Sequence, residues 1–67
     1  MKTYLSNLGY SINKEFTGNH HNPTTDLKCG EMYVARFRGE FIGSELTYKK
    51  AELLCIFHDD ERTIKIL

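Results

Sequence analysis

Residues 31–58 read EMYVARFRGEFIGSELTYKKAELLCIFH, and two periodicities meet within them. From Met32 to Arg38 the side chains alternate: Tyr33, Ala35 and Phe37 share one side and Arg36 and Arg38 the other, the period of a half-buried strand. Gly39 supplies a turn, and Phe41-Ile42 a short second strand. Thr47 then carries the hydroxyl of a helix N-cap, able to accept from an early backbone N–H. Ala51, Leu54, Cys55 and His58 fall at i, i+3, i+4 and i+7, one stripe of a helix. Leu53 and Phe57 widen that stripe, while Lys49, Lys50 and Glu52 are directed to water. The run Leu53–Phe57 also fits a buried strand, but the Thr47 cap and the helix formers from Lys49 to Leu54 favour a helix.

Upstream, Tyr10, Ile12 and Phe16 alternate with Ser11, Asn13 and Glu15, which predicts a strand from Gly9 to Phe16 with Lys14 out of place on its apolar side. Before it, Tyr4, Leu5 and Leu8 surround Ser6-Asn7 and fit a helical turn or a first strand equally. Residues 17–30, with Gly18, Asn19, Asn22-Pro23, Thr24, Asp26 and Gly30, read as one long polar loop. Most connections run about 4–6 residues, so a loop of that length is either disordered or used for binding. Downstream, Asp59-Asp60-Glu61 would put negative charge at the negative end of a helix, so the helix is expected to stop by about His58. Arg62 to Leu67 then reads as a last strand with Ile64 and Ile66 on its buried face, and Thr63–Leu67 as an edge for a homodimer. The expected fold is a single α+β domain over residues 1–67: a small antiparallel sheet of three to four strands with one helix packed on one face, in the order β-loop-β-β-α-β.

Sixty-seven residues allow one domain, and a chain of that size buries only about 60% of its unfolded surface. At 40% hydrophobic and 27% charged residues the composition is that of a globular protein. Nine Lys+Arg balance nine Asp+Glu, whereas duplex-binding modules usually carry a basic excess. The longest apolar run, Leu53–Phe57, is far short of the roughly 20 residues of a membrane span. No apolar signal core follows Met1. Cys29 and Cys55 are accordingly expected as reduced thiols in a cytoplasmic protein that has no membrane partner.

Three chemistries compete. His21 (or its neighbour His20), Cys29, Cys55 and His58 could supply four zinc ligands, with Cys55 and His58 at i, i+3 on one helix, but the spacings match no ribbon or finger and no cofactor is favoured. Cys55 reads instead as a small core residue, His58 as a helix-end histidine and His20-His21 as a solvated pair. Catalysis has little to stand on, because phosphate-cradling, G-x-S-x-G and H-E-x-x-H motifs are all missing. His58-Asp59-Asp60-Glu61 reads as a solvated turn. For nucleic acid, Arg36 and Arg38 at i, i+2 on a strand face, with Lys28, Lys49 and Lys50, could track phosphates. The structural alternative is an ordinary wet strand face paired to Glu40 or Glu45.

An Arg-bearing strand followed by Gly43-x-x-x-Thr47-x-x-x-Ala51 resembles the strand–strand–helix pattern of AP2-like DNA-binding modules and the arm-binding domains of phage-type integrases, over about Tyr33 to Leu54. The resemblance implies that Arg36 and Arg38 face DNA; the chain departs from it in its neutral charge and its expected last strand. Eight aromatics, Tyr33 among them, exceed what so small a core hides, and tyrosine with arginine is typical of protein interfaces. The expectation is a non-enzymatic module that engages a protein partner, as small accessory or inhibitor proteins of phages and mobile elements do, through Tyr33, Arg36, Arg38, Lys49, Lys50 and the His20-His21 loop. Nucleic acid is the alternative partner and a zinc-binding domain the second alternative.

Overall fold

A computed structural model describes residues 1–66, for Ile66 the backbone only. The elements run α1 (Thr3–Leu8), β1 (Tyr10–Asn19), β2 (Gly30–Phe37), β3 (Glu40–Glu45) and α2 (Tyr48–Ile66). The strands form one antiparallel sheet in the order β1-β2-β3, so the fold is α+β with α2 packed against the sheet.

The central hairpin follows from its turn. Arg38 and Gly39 both take positive φ, 51° and 88°, as a two-residue hairpin turn with the right-handed twist of its strands demands. Arg38 therefore belongs to the turn and not to the strand. β3 pairs with β2 from Phe37↔Glu40 to Tyr33↔Glu45, with a bulge that leaves Ile42 without a register partner. Beside that turn, Gly9 closes α1 at φ 108°, its N–H reaching the carbonyls of Leu5 and Ser6. The undecided N-terminal stretch is thus a helix, and it delivers Leu5 fully buried into the core.

Residues 17–30 are only partly the loop expected. β1 continues to Asn19 through a register shift after Phe16, and β2 already starts at Gly30. The remaining segment, residues 20–29, is pinned: Thr24 Oγ1 accepts from the Leu27 N–H at 3.0 Å, and a Glu31 carboxylate oxygen accepts from the Lys28 N–H at 2.8 Å. Leu27 is buried.

The expected last strand is a continuation of the helix: α2 does not stop at His58 but runs to Ile66. Asp59, Asp60 and Glu61 fall in its interior, where the adverse field of a helix end does not act. Asp59 pairs with Arg62 one turn on at 3.2 Å, and the Thr63 hydroxyl donates to the Asp59 carbonyl at 3.0 Å. Arg62 stacks 4.5 Å over the Phe37 ring and reaches the Tyr10 hydroxyl at 3.4 Å. Those tertiary contacts outweigh the β-propensity of Ile64 and Ile66. No edge strand exists at Thr63 to Ile66, so the homodimer edge expected there is lost; Leu67 lies outside the described residues.

The core is two small clusters between sheet and helix. Leu5, Tyr10, Ala35 and Cys55 form one, and Leu27, Tyr33 and Ala51 the other, with Ile12 packed against both. Gly43 lets β3 approach α2: a Cβ there would stand 2.9 Å from Leu54 Cδ1. Among the described residues no helix is long and apolar enough to cross a membrane.

Candidate functional site

The two arginines do not form one charged face. Arg36 lies on the side of the sheet away from α2 and makes a two-pronged pair with Glu15, Nη2 to Oε1 at 2.9 Å and Nε to Oε2 at 3.0 Å. Its partner is thus on β1, and neither Glu40 nor Glu45. Glu15 stands opposite Met32 and Arg36 opposite Ser11, with Val34↔Asn13 between them. The pair therefore spans Val34, which explains how a valine on an otherwise uncovered face is only 2% exposed. Bonding to Arg36 holds the Glu15 carboxyl below the usual carboxylate range, and the same bond raises Arg36. Arg38, carried by the turn, donates from Nε to the Leu8 carbonyl at 3.4 Å and stacks 5.0 Å over Phe37, a ring of the helix-covered face.

The remaining sequence candidates are scattered. Tyr33 is 9% exposed and meets Tyr48 edge-on, with centroids 5.9 Å apart, so little of its ring can reach a partner. Lys49 and Lys50 are exposed on the first turn of α2, whose start is capped by Thr47: its Oγ1 accepts from the Lys50 N–H at 3.2 Å. His20 is exposed. His21 is clamped between two carbonyls, with Nδ1 2.9 Å from Asn22 O and Nε2 2.6 Å from Glu31 O. Two acceptors on one imidazole call for two donors, which only the protonated ring provides. The Asn22 and Glu31 bonds accordingly raise the His21 pKa above its ordinary value.

Of the thiols, Cys29 is exposed and Cys55 buried, both free; burial pushes the Cys55 thiol up. His58 Nδ1 lies 2.7 Å from the Tyr10 hydroxyl, and its ring sits against Tyr10 and Phe37. Cys55 and His58 thus face the sheet, while His21 and Cys29 belong to the loop. Among the described residues no three His, Cys, Asp or Glu side chains converge as a metal site would require, and no cavity opens.

The feature missed from sequence is the outer face of α2. Ala51, Cys55, His58 and Arg62, at i, i+4, i+7 and i+11, carry the contacts of the helix with the sheet. On the opposite side Leu53, Phe57 and Ile64 form a second apolar stripe at i, i+4 and i+11, exposed to 41%, 58% and 69%. Leu53 and Phe57 therefore do not widen the buried stripe, and Ile64 is not a core residue. The signal was present: at 100° per residue Leu53 and Phe57 lie across the helix from Cys55. A short continuous apolar run hides that division, because it fills both sides at once. Exposed Lys49 and Lys50 lie one turn before Leu53, and exposed Asp60 and Glu61 lie between Phe57 and Ile64.

No family model, curated protein or solved structure matches the chain.

Proposed function

We propose that the chain is a small non-enzymatic binding module, an accessory or inhibitor type of protein that engages another protein chain through the outer face of α2. The observation that carries it is the stripe Leu53-Phe57-Ile64, unpartnered on the far side of a helix whose other side already fills the core. A surface helix normally spends its apolar residues on one face. Leu53 and Phe57 adjoin one turn apart beside exposed charges, the setting that marks a protein contact, and phenylalanine is among the side chains enriched at interfaces.

Nucleic acid is less favoured as the partner. Arg36 is engaged with Glu15 and Arg38 with Leu8 and Phe37, and formal charge is balanced at nine against nine. Phosphate binding would have to break these contacts before counterion release could drive it.

The test uses the tagged full chain and its Phe57→Glu variant in a pull-down from lysate of its own host. Because Phe57 is 58% exposed, the variant should keep the circular dichroism and melting profile of the parent. The parent is expected to retain a specific protein, itself included, and the folded variant to lose it. Equal retention by both would remove the outer face of α2 as the binding surface.

A further inference from the structure

The exposed stripe and its charges obey a symmetry. Leu53 and Phe57 stand equally far from position 55 in opposite directions, as do Lys50 and Asp60, and Lys49 and Glu61. Leu53 and Phe57 are large apolar residues exposed to 41% and 58%, and Ile64, exposed to 69%, continues the stripe toward the end of α2. Each charged pair joins a lysine to a carboxylate, and among the described residues none of these four groups makes an ion pair. A helix face read the same way from both ends, with opposite charges at the two ends, is complementary to itself when two copies run antiparallel.

We infer that the outer face of α2 binds a second copy of this chain, the two α2 helices packing antiparallel about a two-fold axis near position 55. The inference rests on the interaction role proposed above and names its partner. A two-fold axis across the helix pair brings each flank of the stripe against the same flank of the other copy. At 100° per residue, Lys50 and Glu61 lie on one flank, Lys49 and Asp60 on the other. Lys50 then meets Glu61 of the second copy, and Lys49 meets Asp60 of the second copy, on both sides of the axis. In the seam Leu53 packs against Phe57 of the second copy and Phe57 against its Leu53. A parallel pair would set lysine beside lysine and carboxylate beside carboxylate, so the charges select the antiparallel arrangement. An unrelated partner would require no such symmetry. One helix face is a small contact, at or below the low end of specific interfaces, about 1,200 Å² in total, so association is expected to be weak and reversible.

Sedimentation velocity of the full chain across roughly 1 to 500 µM covers the range in which such a weak dimer dissociates. A monomer–dimer equilibrium is expected. The double variant Lys49→Glu/Lys50→Glu should shift the midpoint to at least tenfold higher concentration, as should Asp60→Lys/Glu61→Lys. Mixed together, the two charge-reversed variants should form a one-to-one heterodimer. Phe57→Glu should be monomeric throughout, with Ile64→Glu as the second variant if it fails to fold. A parent that is monomeric across the whole range overturns the inference, and so does a dimer that both charge reversals leave intact. Its failure is separable from that of the binding role: a monomeric parent whose lysate partner is lost in folded Phe57→Glu keeps the outer face of α2 as a binding surface while removing the second copy.

Discussion

At the scale of single residues, His21 shows how a side chain suggestive of ligand binding is used to hold a loop. Both ring nitrogens face carbonyls, 2.9 Å to Asn22 and 2.6 Å to Glu31, and only the imidazolium can donate to both. The folded-state pKa is therefore raised above the ordinary value. A raised pKa means that the folded state binds the proton more tightly than the unfolded one. The stabilisation is fully present below the unfolded pKa and is lost as pH rises through the folded pKa. His21 is expected to titrate above the ordinary histidine value by proton NMR, and hydrogen exchange at Asn22 to Glu31 should quicken as His21 loses its proton. A His21 that titrates at or below the ordinary histidine value would leave the clamp without a charged donor. Arg36 carries the same lesson. Its exposure on a strand face was legible from the alternation Met32–Arg38, but its partner Glu15 was not, because strand register decides which carboxylate is in reach and no local pattern sets the register of a pairing that spans a long connection.

At the scale of elements, short-range physics was legible and long-range physics was not. The hairpin was legible from the alternation after Met32 and the turn at Gly39, though not the part of Arg38 in that turn, and the start of α2 from Thr47. The cap sits at the entry of a 19-residue helix that supplies one whole side of the core. Thr47→Ala should leave Lys50 N–H without its 3.2 Å acceptor and cost about 1 kcal/mol. Urea unfolding checks this: a lower midpoint at unchanged slope is expected, with Thr47→Ser close to the parent. The far end of α2 resisted prediction because two local rules pointed the wrong way there. Acidic residues disfavour a helix C-terminus, and Ile64 with Ile66 suggest a strand. What overrides them is Arg62, whose contacts with Phe37 and Tyr10 lie across more than twenty residues of sequence. The same extension puts Ile64 on the outer face, so the misjudged helix end hides Ile64 there, while the continuous apolar run hides Leu53 and Phe57.

At the scale of the whole molecule, the limiting quantity is core size. Proteins gain roughly 0.05–0.15 kcal/mol of stability per residue, which for this length means about 3–10 kcal/mol. Here the core is divided into two clusters, each closed by α2 over the sheet, and Ile12 is the apolar side chain that packs against both. Ile12 sits in the β1 register opposite Ala35, whose small side chain leaves room for it beneath the helix. Removing it should therefore loosen both clusters together. Ile12→Ala is expected to cost about 2–4 kcal/mol, a large fraction of the total, with both halves of α2 losing protection in one step. Ile64→Ala deletes comparable apolar surface from a side chain that is 69% exposed, and should change the stability of the monomer by no more than about 0.5 kcal/mol. Urea titrations of the two variants at low micromolar concentration, with circular dichroism and Tyr fluorescence followed in parallel, make the comparison. Equal losses would mean that Ile64 is buried in solution and that the outer stripe belongs to the core. A large loss for Ile12→Ala with none for Ile64→Ala would leave Leu53, Phe57 and Ile64 as side chains the fold does not need, and their maintenance as apolar residues would then be a requirement of the surface they form.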